Sequence, residues 1–133
     1  MPRMSTMTLH RQSLILTENC PIRDVLDRLG DRWTVLVLHE LAGGTLRFTE
    51  VRKRIADISP RMLAQTLRRL EQDGLVRREV FPTVPPRVDY ALTALGASFF
   101  ERIEMLAQWA SDHHDEVRAA RQAYIAPAAN APL

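Results

Sequence analysis

The chain has one cysteine, one lysine, little aromatic content (6%) and no apolar run of membrane-spanning length. The lone Cys20 excludes an intramolecular disulfide and leaves a free thiol, which points to a reducing, cytoplasmic location. A membrane helix needs roughly 18 consecutive apolar residues. The opening MPRMSTMTLHRQSLIL has no apolar stretch of signal-peptide length ahead of a small-residue cleavage site. No membrane role is expected. The five glycines form no phosphate-binding loop. Histidines 10, 39, 113 and 114 lack metal-ligand spacing with one another or with Cys20, and the tandem His113-His114 diverges on a helix. No metal, cofactor, catalytic residue or enzymatic activity is expected. The single lysine stands against seventeen arginines, a bias that genome base composition can produce.

What is present is enough for one domain. The 133 residues are 46% hydrophobic, with no internal repeat. Net charge is only +2, but it is unevenly spread. From Thr45 to Tyr90 there are ten basic and six acidic residues, a local net of +4, while the rest carries −2. A basic centre between acidic ends suggests a polyanionic partner.

Residues 1–18 show no clean period and read as an N-terminal arm. A helix opens at NCPIRDVLDRLG, with Asn19 or Cys20 as cap, Pro21 at its first position and Gly30 as its stop. Ile22, Val25, Leu26 and Leu29 fall on one stripe, expected to be buried. In DRWTVLVLHELAGG, Asp31 caps and Gly43-Gly44 ends a second helix. Trp33, Val35, Leu36, Val37, Leu38 and Leu41 nearly encircle it, which predicts a central position. Glu40 on the same side needs a partner, and Arg47 is the candidate. A short extended TLRF leads into FTEVRKRIADI, with Phe48, Val51 and Ile55 inward and Arg52 and Lys53 outward.

The next segment, SPRMLAQTLRRLEQDG, is a helix with marked ends: Ser59 as cap, Pro60 first, Gly74 beyond the last turn. At 100° per residue, Arg61, Gln65, Arg68 and Gln72 line one side, Arg69 flanks them, and Leu63, Leu67 and Leu70 lie opposite. Two helices joined by a short turn, the second presenting polar residues outward, form a helix-turn-helix plan. A major groove accepts such a helix, arginine pairs with guanine and glutamine with adenine. Ser59, Pro60, Arg61, Met62, Gln65 and Thr66 are therefore candidate DNA contacts near the helix start, and Arg68 and Arg69 candidate contacts to the backbone or the far groove edge.

LVRREVF and VDYAL read as two strands joined by the stiff loop PTVPPR, a wing. Arg87 at its tip is suited to a minor groove, whose negative potential attracts arginine. Arg47, Arg52, Lys53 and Arg78 complete the candidate wing and backbone contacts. The fold expected is mostly α (α+β): a winged helix-turn-helix at residues 19–98, a C-terminal dimerisation helix at 99–124 and a disordered tail at 125–133.

The stretches CP, LGDRWT, LRFTEVRKRI, ISPRMLAQTLRRLEQDGLV and VPPRVDYALTALG resemble, in order and spacing, the HxlR-type winged helix-turn-helix regulators of bacteria, relatives of the MarR group. The resemblance covers residues 20 to 120. Its link LAGGTLRF is one residue longer than is usual. The resemblance implies a dimeric transcription factor on an inverted-repeat operator, more often a repressor, with its recognition helix at residues 59–73 and its wing at residues 81–88.

In the last helix, Phe99, Ile103, Leu106, Ala110, His113 and Val117 recur every three or four residues, as in a two-helix seam, and are the candidate homodimer interface. Phe100, Met105 and Trp109 widen the stripe toward the domain. His113 reads either as a pH-responsive element or as an ordinary hydrogen-bonded interface residue. Cys20 also has two readings. Beside a helix N-terminus and Arg23 its thiol pKa would fall, suiting a redox or electrophile sensor, as the resemblance implies for some relatives at this position; alternatively it is a small buried residue. Two rivals stay open: a winged-helix module for protein contacts without specific DNA binding, and a DNA-binding regulator that senses a small-molecule effector.

Overall fold

A computed structural model describes residues 21–127, with side chains from Arg23 onward. The expected arm, the cap at Asn19 or Cys20, the Cys20 thiol and residues 128–133 lie outside the described residues. Four helices and a small sheet lead into a long helix: α1 (Pro21–Leu29), α2 (Arg32–Ala42), β1 (Leu46–Arg47), α3 (Phe48–Arg54), α4 (Pro60–Gln72), β2 (Val76–Phe81), β3 (Arg87–Leu92) and α5 (Ala94–Ala123). The sheet is antiparallel with β3 in the middle, Leu46 opposite Tyr90 and Val76 opposite Leu92. No helix among the described residues is long and apolar enough to cross a membrane.

The described residues up to Phe100 form one compact unit. Asp31 caps α2 by accepting the Trp33 backbone N–H at 3.0 Å. Val37, Leu38 and Leu41 of α2 meet a core that includes Val51, Ile55, Ile58, Leu63, Leu67 and Leu70, each at most 6% exposed. Burying one such leucine stabilises by about 1.5–3 kcal/mol relative to leaving it in water. The leucine side of α4 is thus fixed inward, and its other side is left to solvent.

The base of the wing is locked to the start of α5. Gly74, with φ of 76°, lets the chain leave α4 in the left-handed conformation that a glycine adopts without strain. The Thr93 hydroxyl donates to the Gly74 carbonyl at 2.6 Å and accepts the Gly96 N–H at 3.0 Å, while the Thr93 N–H donates to the Leu75 carbonyl at 3.1 Å. Thr93 therefore caps α5 while pinning it to the α4–β2 turn. Gly96 is where the two backbones nearly touch.

Three packing expectations are corrected. Val25 and Leu26 of α1 are 41% and 59% exposed: their period places them on one face, but the described residues leave that face only partly covered. α2 is central but not encircled, with Leu36 40% exposed, Trp33 and Val35 half-buried, and Thr34 buried instead. Glu40 pairs with Arg54 of α3 at 3.7 Å, not with Arg47, which β1 holds opposite Asp89 of β3. Both partners of the Glu40 pair keep solvent contact, so it contributes at most about 1 kcal/mol.

From Glu101 onward a second unit comprises the outer turns of α5 and residues 124–127 without regular structure. Of the candidate seam, Leu106 and Ala110 are exposed, and Phe99, His113 and Val117 half-buried. Ile103 is buried, at 9% exposed, unlike the other members of the candidate seam. A straight helix drifts about 20° per heptad from a strict seven-residue repeat, so one apolar stripe divides between two sides. Met105 and Trp109 are 70% and 55% exposed, and Leu106 55%. The Trp109 indole stacks on the His113 imidazole, with centroids 4.7 Å apart and planes at 15°, and His113 Nδ1 lies 2.9 Å from the Trp109 carbonyl oxygen.

Candidate nucleic-acid interface

The Ser59 hydroxyl accepts the Met62 backbone N–H at 3.0 Å, and Pro60 fills the first helical position, so α4 begins where its residues say it should. Thirteen residues give a rod about 20 Å long. Arg61, Ala64, Gln65 and Arg68 line one surface hollow along it. Arg61, Gln65 and Arg68 are exposed and make no side-chain hydrogen bond or ion pair among the described residues. Their donors are thus available to an outside partner.

Three other α4 candidates stand differently. Thr66 is 1% exposed and its hydroxyl has no partner among the described residues. It is withdrawn as a DNA contact, because it sits on the helix between Leu63 and Leu70 and shares their buried face. Met62 is half-buried. Arg69, also half-buried, turns toward Asp31 in the α1–α2 turn, 3.8 Å away, and so is a brace rather than a free cation. A second brace, which residue types alone did not reveal, joins Arg28 of α1 to Asp73 at the end of α4 through bonds of 2.5 and 3.2 Å. Asp73 raises the Arg28 pKa, chiefly through these hydrogen bonds. Together the two pairs tether α4 to α1 and α2.

On α3, Arg52 and Lys53 are exposed without an ion-pair partner among the described residues. They also lie in its last turn, where cations favour the helix dipole.

The wing separates its arginines. Opposite residues of an antiparallel pair share a face, so the pairs Phe81–Arg87, Glu79–Asp89 and Arg77–Ala91 define one side, and Arg78 and Tyr90 lie on the other. Arg47, Arg77 and Arg87 share their side with Glu50, Glu79 and Asp89 around one polar hollow. This face has no net charge. The expectation of a freely cationic wing is corrected accordingly: Arg87 Nε and Nη2 donate to the two Asp89 carboxylate oxygens at 2.9 and 3.0 Å, and the guanidinium lies 5.4 Å from the Phe81 ring centre. The i, i+2 spacing of Arg87 and Asp89 on a strand was the available signal.

Hydrogen bonds from Arg87 hold the Asp89 pKa below its ordinary 3.8, with burial opposing and the charges of Arg87 and Arg47 assisting. A lowered carboxylate pKa contributes stability that is full above the ordinary value and is lost as pH falls through the folded one. Acid unfolding followed between about pH 5 and pH 2 should therefore show a steeper stability loss in the unaltered chain than in Asp89→Asn.

No group of three or more metal-ligating side chains suited to an ion occurs among the described residues. The family model for HxlR-like helix-turn-helix proteins matches residues 28–118. The uncharacterized HTH-type transcriptional regulator YtfH of Escherichia coli (strain K12) is 43% identical over 121 residues, or 89% of this chain and 96% of the relative. The solved ytfH of Salmonella typhimurium, assigned as a transcriptional regulator, is 42% identical with a TM-score of 0.67, covering 80% of this chain and 95% of that one. The reduced form of the transcriptional regulator YodB from B. subtilis is 38% identical with a TM-score of 0.64, covering 68% and 90%. YodB has also been solved after diamide treatment.

Proposed function

The chain belongs to the HxlR-like helix-turn-helix family of transcriptional regulators, and on that premise we propose that it binds a specific double-stranded DNA sequence, an inverted repeat, as a homodimer in the cytoplasm. The observation that carries this reading is the solvent-facing set Arg61, Gln65 and Arg68, unpartnered among the described residues and mounted on a capped helix whose opposite side is locked into a leucine core. A module built for protein contacts would present apolar residues there. Dimerisation by the exposed Leu106 and Ala110, with Phe99, His113 and Val117, would set two copies of α4 about 34–36 Å apart, one turn of DNA. Bound beside a promoter, such a dimer excludes polymerase, so repression is the proposed outcome.

A salt titration on duplex DNA, including the promoter region beside the protein's own gene, tests this. Affinity should fall with a log–log slope of about −0.9 per phosphate neutralised. Duplex affinity too weak to measure in low salt would favour the protein-contact module.

The proposed inducing signal is oxidation or electrophile modification of Cys20, supported by the likeness to YodB, solved both reduced and after diamide treatment. Diamide should release DNA from the unaltered protein and leave Cys20→Ser bound. Equal release from both would shift the signal to a small-molecule effector.

A further inference from the structure

The Arg87–Asp89 pair uses only part of the arginine. A guanidinium carries five N–H donors in a rigid plane. Asp89 engages the edge formed by Nε and Nη2, which leaves the Nη1 donors and the second Nη2 proton on the outer edge. Asp89 is 7% exposed and the Arg87 side chain 47%, so the carboxylate is the anchored member and the guanidinium keeps a solvent-facing edge. The Phe81 ring bounds the guanidinium as well. Arg47 and Glu79, opposite Asp89 on the two neighbouring strands, and Arg77 and Glu50 are the other charges around the same hollow.

We propose that Asp89 is a positioning residue for DNA binding: it fixes the Arg87 plane so that the free edge meets an acceptor on the duplex. The proposal rests on the DNA-binding reading above. Its signature is a sign opposite to simple electrostatics. Removing a carboxylate beside a polyanion should tighten binding by charge alone, whereas losing the buttress lets the arginine swing among rotamers and weakens it.

Duplex affinity of the unaltered protein, Asp89→Asn, Arg87→Ala, the double variant and Arg87→Lys separates these cases. Asp89→Asn should bind about tenfold more weakly, within the range of one well-formed bidentate contact. In the Arg87→Ala background the same change should cause no further loss, because there is nothing left to position. Arg87→Lys, which keeps the charge but not the planar fork, should bind nearly as weakly as Arg87→Ala. Tighter or unchanged binding by Asp89→Asn overturns the proposal, as does a loss that persists without Arg87, which would mark Asp89 as purely structural. Unaltered affinity in Arg87→Lys overturns it without touching the carboxylate. In all three cases the unaltered protein still binds and the DNA-binding reading stands; absence of duplex binding by the unaltered protein removes both.

Discussion

Gly96→Ala should destabilise the fold by about 3 kcal/mol, at the upper end of what overpacking a tight site costs. An alanine Cβ there would lie 2.0 Å from the Leu75 carbonyl oxygen and 2.9 Å from its carbon. The obstacle is backbone, so no rotamer change relieves it. α5 would have to lift from the α4–β2 turn, breaking the bonds through which Thr93 joins Gly74, Leu75 and Gly96. In urea, with a slope of roughly 1.5 kcal/mol per molar, the midpoint should fall by about 2 M. Gly43→Ala is the control. Its φ of −77° suits any residue and its Cβ would meet only the Glu40 carbonyl oxygen, at 3.6 Å. That variant should match or slightly exceed the parent, by up to about 1 kcal/mol. Equal midpoints for the two alanine variants would contradict the close approach on which the wing base is built.

The second large effect concerns binding. Arg61→Ala and Gln65→Ala should each weaken binding to the specific duplex by about 1–3 kcal/mol per half-site, with relaxed base preference. Each substitution occurs twice in a homodimer, so the loss on a full operator approaches double that figure. Both residues are exposed and unpartnered among the described residues, so stability should change by less than about 0.5 kcal/mol. Arg68→Ala, farther along the rod, should lower affinity on specific and random duplexes alike and reduce the salt slope by about 1 per half-site. If all three variants lose affinity equally on both kinds of DNA, the assignment of base contacts to the start of α4 is wrong.

How far the residues alone lead can be seen on α4 itself. Ser59, Pro60 and Gly74 mark its ends because capping is local chemistry, and the leucine period orients it because the core is the one place those leucines can go. Thr66 misled because its residue type suggested surface while its angle, about 40° from Leu70 and 60° from Leu63, dictated burial. The stripe on α1 misled for the complementary reason. A 3.6-residue period says which side chains share a face, not whether the same chain covers them, and Val25 and Leu26 remain in solvent.

Charge pairing was the least legible level. Arg54 rather than Arg47 reaches Glu40, and Asp31 and Asp73 claim Arg69 and Arg28, because such partners are chosen by tertiary placement. The wing was recognisable from its prolines and alternation, yet its neutral face was not, since that depends on strand register. What this leaves for an outside partner is narrower than the initial roster of arginines. Arg61, Gln65 and Arg68 form the proposed DNA-facing surface, Arg52 and Lys53 on α3 and Arg78 on the wing remain available, and Arg87 is held by its own carboxylate.

Selection of bound duplexes from a random pool at low salt tests the central claim most directly. The account predicts recovery of an inverted repeat whose half-sites are centred about 10 bp apart, the spacing two symmetry-related copies of α4 would read, and loss of that enrichment when Arg61 and Gln65 are both alanine. A pool that stays unenriched with the unaltered protein, or one that yields the same motif with the doubly substituted protein, would contradict it.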